Sequence, residues 1–373
     1  MVTSCEIKFN NPNGTFQSGQ TLTGTVSLSL TDRKKFRGAG TRRRTVTYAA
    51  KEDYLSQTTY LLGSQSSTNA IELQAGITTY SFACMLPVHV PSSFEGKHGN
   101  IRYNCKAVLD RPGKSDKEFR LSFTVIKTED LNLMSPTLYI PSKSEIVRHF
   151  YCCCFKSKPF YMSASIPFAG FVSGQKIEVT ITLNNQSNID IEGTKIALER
   201  NTQYMSQTPR KKIKHESLVV KEVFGTGVNA AGSTEIRLEL SVPPIAPTLI
   251  NTCRILTSTY QLKVLAKVTG AHKSPHLNIP ITIGTVPFRA SAHAPNYEAI
   301  MNSSIASSSS HPSAPPMFDL PPPSYEAATS IVPEMTENDV NVSVFDPRYP
   351  VWNFGPPQPN VPFHHSPQKV PLK

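Results

Sequence analysis

The sequence lacks any run of about 18 consecutive apolar residues and any apolar leader after a basic start. The first absence excludes a membrane-spanning helix and the second a secretory signal, so we expect a cytosolic chain. Cysteine is also scarce, with seven residues, three of them adjacent at positions 152–154. This placement does not give the spaced framework of a disulfide-rich domain, and we expect reduced thiols.

Patterns typical of catalytic, cofactor or nucleic-acid sites are missing as well. Residues 225–232 contain G-x-G, but neither the Lys-Ser/Thr of a phosphate loop nor a helical pattern follows. Basic residues are scattered singly or in short runs such as residues 32–37, 41–45 and 210–215, and they do not form the extended stripe interleaved with aromatic residues that nucleic-acid binding favours. We therefore expect no enzyme, no cofactor and no nucleic-acid partner.

The adjacent cysteines Cys152, Cys153 and Cys154 leave alternatives open. They lack the C-x-x-C spacing that suits two thiolates on one zinc ion, which makes a metal site the least favoured interpretation. They fit small buried or loop thiols. With the basic residues of the following Phe-Lys-Ser-Lys, they also fit reversible palmitoylation.

Proline and negative charge are concentrated at the carboxyl end. Of the 31 prolines, 17 lie from Pro287 onward, and residues 287–373 carry four basic and seven acidic side chains. The net charge of +11 therefore divides into −3 for this end and +14 for the rest. Few aliphatic residues occur in residues 288–373, so we expect a disordered tail. The basic remainder fits either an ordinary solvated surface or an anionic partner, such as acidic lipid or acidic and phosphorylated peptides.

An internal repeat organises the residues before the tail. At an offset of 155, six positions between residues 16 and 28 find identical partners. They are Phe16, Ser18, Gly19, Gln20, Thr25 and Leu28, matched by Phe171, Ser173, Gly174, Gln175, Thr180 and Leu183. After Ser-Gly-Gln, both copies alternate apolar and polar residues, which predicts a turn followed by a half-buried strand.

A second match, at an offset of 157, pairs Tyr103 with Tyr260 and Lys106 with Lys263. Short strand-like segments fill the intervals and helical stripes are scarce, which predicts two β-sandwiches in tandem. We expect them at residues 1–130 and 161–287, joined by residues 131–160. Residues 38–45 have no apolar alternation, so we expect the first sandwich to lack or alter one strand there.

The tail contains Pro322-Pro323-Ser324-Tyr325, which has the form P-P-x-Y. Such a segment favours polyproline II and is recognised by the aromatic groove of WW domains. We therefore predict that Pro322, Pro323 and Tyr325 bind a WW domain.

Two incomplete copies of this motif occur elsewhere in the tail. Pro295 with Tyr297, and Pro347 with Tyr349, each lack one proline, and they fit weak auxiliary WW sites or plain linker. Tyr297 also fits a tyrosine-based sorting signal, because Ile300 follows three residues later.

Taken with the tandem repeat, several segments resemble the α-arrestins, or arrestin domain-containing proteins. They are Ser-Gly-Gln at both repeats, residues 86–112, residues 279–287 and the Pro-rich tail with its tyrosine motif. The resemblance implies two immunoglobulin-like arrestin β-sandwich domains followed by a disordered tail. It departs at residues 38–45, where the family continues into another strand.

The resemblance also implies function. It implies an adaptor that links cytoplasmic tails of membrane receptors or transporters to WW-domain HECT-type ubiquitin ligases, promoting ubiquitination, endocytosis and protein transport. Such an adaptor would be cytoplasmic, with recruitment to the plasma membrane and endosomes, and its basic body is compatible with peripheral membrane association. The alternative is an arrestin-fold vesicle-sorting scaffold that acts without a ligase.

Overall fold

The described part of the chain is built almost entirely from β-strands. The computed structural model describes residues 2–30, 49–63, 73, 75–109, 116–152, 155–289, 336–337 and 345–354. Within these ranges there are two short 3₁₀ helices and no α-helix. No helix there is long and apolar enough to cross a membrane. The all-β class predicted from period-two alternation is confirmed.

Strands of the first half form two sheets that face each other. The strands are β1 (Val2–Phe9), β2 (Thr15–Gln17), β3 (Thr21–Leu30), β4 (Gly76–Met85), β5 (Phe94–Gly96), β6 (Gly99–Ile101), β7 (Tyr103–Leu109) and β8 (Lys117–Ile126). One sheet has the order β1-β3-β4, and in the other β8 pairs with β7 and β2. β5 and β6 form a separate hairpin. Cys5, Ile7, Val26, Phe119 and Leu121 fill the space between them. The segment 38–45, predicted to lack or alter a strand, lies outside the described residues.

Two 3₁₀ helices, Leu131–Leu133 and Pro136–Tyr139, lead into the second half. Its strands are β9 (Ser142–Arg148), β10 (Tyr151–Cys152), β11 (Phe155–Lys156), β12 (Phe160–Ile166), β13 (Gly170–Val172), β14 (Lys176–Asn185), β15 (Ile191–Ser206), β16 (Lys212–Val228), β17 (Ser233–Ser241), β18 (Leu256–Val268) and β19 (His276–Gly284). Nine of them form the sheets β17-β14-β12-β9 and β13-β19-β18-β15-β16, around a core that includes Phe160, Phe171 and Leu262, and β10 pairs with β11. β9 lies in the stretch predicted as a connection and pairs with β12. A further strand, β20 (Thr336–Glu337), pairs with β8.

The repeat at an offset of 155 is the same turn in both sandwiches. β2 leads into the first turn and pairs in parallel with β8, the last strand of the first sandwich in chain order. β13 leads into the second turn and pairs in parallel with β19, the last strand of the second sandwich. Gly19 and Gly174 have φ values of +83° and +92°, which favour glycine. The side chains of Gln20 and Gln175 each accept a hydrogen bond from the backbone N–H three residues earlier, at 2.9 and 3.2 Å.

The paired tyrosines also occupy equivalent positions. The Tyr103 hydroxyl donates to the Pro91 carbonyl at 2.7 Å, and the Tyr260 hydroxyl donates to the Ala246 carbonyl at 2.8 Å. Burial raises the pKa of both phenols, so both stay protonated and able to donate. Each tyrosine fixes the chain before its strand, and the predicted tandem of sandwiches is confirmed.

Candidate functional site

A hydrophobic cluster joins the two sandwiches. Its buried members come from both halves of the chain. They are Phe16, Leu22, Leu86, Val90, Phe94, Ile101, Tyr103, Phe123 and Val125 from the first, and Tyr204, Ala246, Leu249, Cys253 and Leu256 from the second. The sandwiches therefore share apolar packing, which holds both sides of the cleft described below.

Arg200 on β15 crosses this interface. Its guanidinium lies over the Phe94 ring of the first sandwich, 4.7 Å from the ring centroid, and its Nη2 donates to the Glu95 carbonyl at 3.3 Å. Its buried Nε has no hydrogen-bond partner among the residues that the structure describes. The guanidinium therefore contacts both an aromatic face and a carbonyl of the first sandwich.

Tyr204, near the end of β15, packs against the β5–β6 hairpin. A Cβ at Gly96 would lie 2.1 Å from the Tyr204 hydroxyl oxygen, so glycine permits the approach. That hydroxyl donates to the Glu216 carboxylate at 2.5 Å. Burial, with a smaller effect from Glu216, raises the pKa of Tyr204. The same carboxylate accepts from the Lys97 backbone N–H at 3.3 Å, which links β16 to the first sandwich.

Residues 345–354, which we name the docked tail segment, lie in the cleft between the sandwiches. On the first sandwich, the Tyr349 hydroxyl donates to the Ser93 carbonyl at 3.0 Å and the Arg348 N–H donates to Thr124 Oγ1 at 3.1 Å. The Arg348 guanidinium also donates to the Asn13 carbonyl at 3.4 Å. Desolvation raises the pKa of Tyr349 well above its usual value, so the phenol remains a neutral donor.

The docked tail segment also contacts the second sandwich. The Trp352 backbone N–H donates to the Ser173 carbonyl at 3.0 Å, and its indole Nε1 donates to the Thr285 carbonyl at 2.9 Å. A Cβ at Gly174 would lie 2.1 Å from the Trp352 carbonyl oxygen. Ser173 and Gly174 belong to the second copy of the repeated Ser-Gly-Gln turn. This turn therefore contacts the docked tail segment in addition to its place in the sandwich.

The structure locates only some of the residues predicted as sites. Pro347 is buried and Tyr349 is half-buried, both in the docked tail segment. Pro322, Pro323 and Tyr325 lie outside the described residues, as do Pro295 and Tyr297. Their predicted binding to WW domains stays a prediction.

The predicted lipidation site is described only in part. The backbone of Cys152 pairs with Phe155 in the β10–β11 hairpin, and Cys153 and Cys154 lie outside the described residues. Palmitoylation there stays a prediction. The described part of the chain holds no group of three or more His, Cys, Asp or Glu side chains placed to bind a metal ion.

The other described cysteines are free thiols: Cys5, Cys84, Cys105 and Cys253. Burial raises the pKa of Cys5 to about 11, against a smaller opposing effect of Lys117. The pKa of Cys105 is likewise raised to about 11, chiefly by burial. These thiols are protonated near neutral pH and are poor nucleophiles there.

Two positions that the structure places at the cleft or the interface were not singled out from the sequence. Arg200 lies within β15, and its partner Phe94 lies in the other sandwich. Trp352 is the single tryptophan of the chain and stands in a tail with few large apolar residues, which is the one signal that could have marked it as an anchor.

The fold and the family profiles together define a tandem arrestin-domain protein. The profile of the arrestin (or S-antigen) N-terminal domain matches residues 37–132, and that of the C-terminal domain matches residues 156–288. The predicted domain limits, 1–130 and 161–287, stay predictions.

Curated relatives narrow the class. Arrestin domain-containing protein 17 of Caenorhabditis elegans is 29% identical over 306 residues, covering 76% of this chain and 70% of its own. Human arrestin domain-containing protein 4 is 28% identical, covering 82% of this chain and 78% of its own. Human arrestin domain-containing protein 1 is 25% identical, and the match covers 78% of this chain and 65% of its own length. The chain belongs to the arrestin domain-containing, or α-arrestin, family.

Proposed function

We propose that the protein is an α-arrestin-type adaptor that links membrane receptors or transporters to WW-domain HECT ubiquitin ligases. The observation that carries the proposal is the P-P-x-Y sequence at residues 322–325, carried by a chain with a tandem arrestin body. The ligase supplies the chemistry of ubiquitin transfer. The adaptor's contribution is proximity between ligase and cargo, which promotes ubiquitination, endocytosis and transport of the cargo.

The motif supports WW binding through its geometry. In polyproline II three residues complete a turn, so Pro322 and Tyr325 lie on the same edge. Proline rings can then enter the aromatic groove while the phenol occupies the neighbouring pocket. Prolines restrict the free chain, which lowers the entropic cost of docking.

The basic body supports a cargo partner of opposite charge. β16 is an edge strand of its sheet, and Arg210, Lys211, Lys212 and Lys214 are exposed at its start. Acidic or phosphorylated cytoplasmic peptides of membrane proteins fit this surface. Binding there would bring a cytosolic adaptor to the plasma membrane and endosomes, where the cargo resides, and would weaken as salt rises.

The WW assignment is tested by titrating the full chain with an isolated, fluorescently labelled WW domain from a HECT ligase. Tyr325→Ala removes the phenol that would fill the WW pocket and should weaken binding by about tenfold or more, since burying an aromatic side chain contributes roughly 1.5–3 kcal/mol. Tyr297→Ala is the matched control, because Tyr297 and Tyr325 are both followed by Glu-Ala but Tyr297 lacks the first proline. It should leave the affinity within about twofold.

Equal binding by the wild type and Tyr325→Ala would remove the motif from the proposal. The vesicle-sorting scaffold would then be favoured. Loss of binding in Tyr297→Ala alone would place the ligase site at the other tyrosine.

A further inference from the structure

The docked tail segment is held by few but specific contacts. Its hydrogen bonds reach Asn13, Ser93 and Thr124 on one sandwich and Ser173 and Thr285 on the other. Pro350 and Trp352 line the same cleft as Ile126 and Val172. The segment therefore contacts the turns and strand ends of both halves at once.

The docked tail segment is only partly covered by the two sandwiches. Pro347 is buried, and Tyr349 packs against the hydrophobic cluster that joins them. Tyr349, Pro350, Val351 and Trp352 are all only partly buried. Because the docked tail segment and the cleft belong to one chain, the effective concentration of the segment at the cleft is high, and this favours docking.

We propose that the cleft between the sandwiches is a peptide-binding site whose resident, displaceable ligand is the docked tail segment, and that docking hides the Pro347–Tyr349 pair from WW domains. This second part rests on the WW recruitment proposed above. Pro347 is buried in the cleft, and the Tyr349 hydroxyl is engaged by the Ser93 carbonyl. A WW groove requires the same proline ring and the same phenol. Cleft and WW domain cannot hold the pair together, so each weakens the other's binding by the same factor.

The repeat supplies a matched pair of variants that tests docking. Gly174→Ala puts a methyl group against the Trp352 carbonyl, and Gly19→Ala introduces the same kind of backbone strain in the equivalent turn, where the nearest atom is a Val88 methyl at 3.3 Å. Both positions have positive φ, so the cost of the substitution to each sandwich is comparable. Only Gly174→Ala should displace the docked tail segment.

Trp352 reports docking directly, because it is the single tryptophan. In the full chain, Gly174→Ala should shift its fluorescence emission to longer wavelength and raise iodide quenching towards that of the denatured protein. Gly19→Ala should change neither. Tyr349→Ala, which changes no residue of either sandwich, should reproduce the effect of Gly174→Ala and so separates release from unfolding. Unchanged quenching in both Gly174→Ala and Tyr349→Ala would overturn the proposal.

Masking of the Pro347–Tyr349 pair is measured by titrating the full chain with the isolated, labelled WW domain. The chain carries Tyr325→Ala, so that the P-P-x-Y motif does not contribute to binding. Adding Gly174→Ala or Trp352→Ala should strengthen the residual binding by about fivefold or more, since apparent affinity rises with the competent fraction. Adding Gly19→Ala should not. Increased quenching without any gain in WW affinity would overturn the masking while leaving the P-P-x-Y assignment intact, because that assignment depends on Tyr325→Ala alone.

Discussion

At the scale of single residues, Arg200 shows how the two sandwiches are fixed to each other. A guanidinium over an aromatic ring is attracted by the ring's negative face, and the attraction is stronger where water is excluded. Arg200 is half-buried, and its stem packs where β15 meets the β5–β6 hairpin. Its removal takes away both the charge over Phe94 and the packing of the stem.

Arg200→Ala should therefore lower the free energy of unfolding by about 1–2 kcal/mol. Arg237→Ala is the control, because the Arg237 side chain is 81% exposed and its ion pair within the described part of the chain is with Glu235 on the same strand. It should change the free energy by less than about 0.5 kcal/mol. Denaturant titration of the full chain measures both. Equal losses in the two variants would show that Arg200 contributes no more than a surface charge.

At the scale of elements, the 3₁₀ helix Leu131–Leu133 is more than a connection. Leu131 is fully buried, and its side chain lies where Cβ atoms at Gly170 and Gly284 would clash with it. The Leu131 N–H donates to the Val286 carbonyl at 3.2 Å. The helix thus seals the end of the second sandwich, next to the turn that holds the docked tail segment.

Leu131→Ala should cost about 2–5 kcal/mol, because it leaves a cavity between glycines that cannot fill it. Leu133→Ala, in the same helix, should cost less than about 0.5 kcal/mol, since Leu133 is 85% exposed. Thermal unfolding followed by circular dichroism distinguishes the two. A small effect of Leu131→Ala would mean that the helix is only a linker.

Strands could be predicted where the alternation of apolar and polar residues is contained within the strand itself. The alternation after Ser-Gly-Gln predicted β3 and β14, because a strand buries every second residue, and Leu22, Val26 and Leu28 are indeed buried. The contact of Tyr349 with Ser93 could not be predicted, since no pattern in the sequence links these two distant residues. The sequence marked Tyr349 only as part of an incomplete motif.

At the scale of the whole molecule, the chain divides into a body and a tail that differ in charge and composition. The body carries most of the positive charge and packs its two sandwiches against each other. The tail carries the P-P-x-Y sequence and returns to the cleft at residues 345–354. Under the proposed function, the body would bind the cargo, Tyr325 would recruit the ligase, and docking would control whether Tyr349 is accessible.

Ubiquitin transfer measures the proposed recruitment of a ligase through Tyr325. The full chain is incubated with ubiquitin, its activating and conjugating enzymes and a WW-domain HECT ligase at a concentration below saturation, and modification of the chain's own lysines is followed. Tyr325→Ala should slow the modification by about tenfold or more, because the ligase is no longer tethered, and Tyr297→Ala should not. Equal rates for the wild type and Tyr325→Ala would contradict the account.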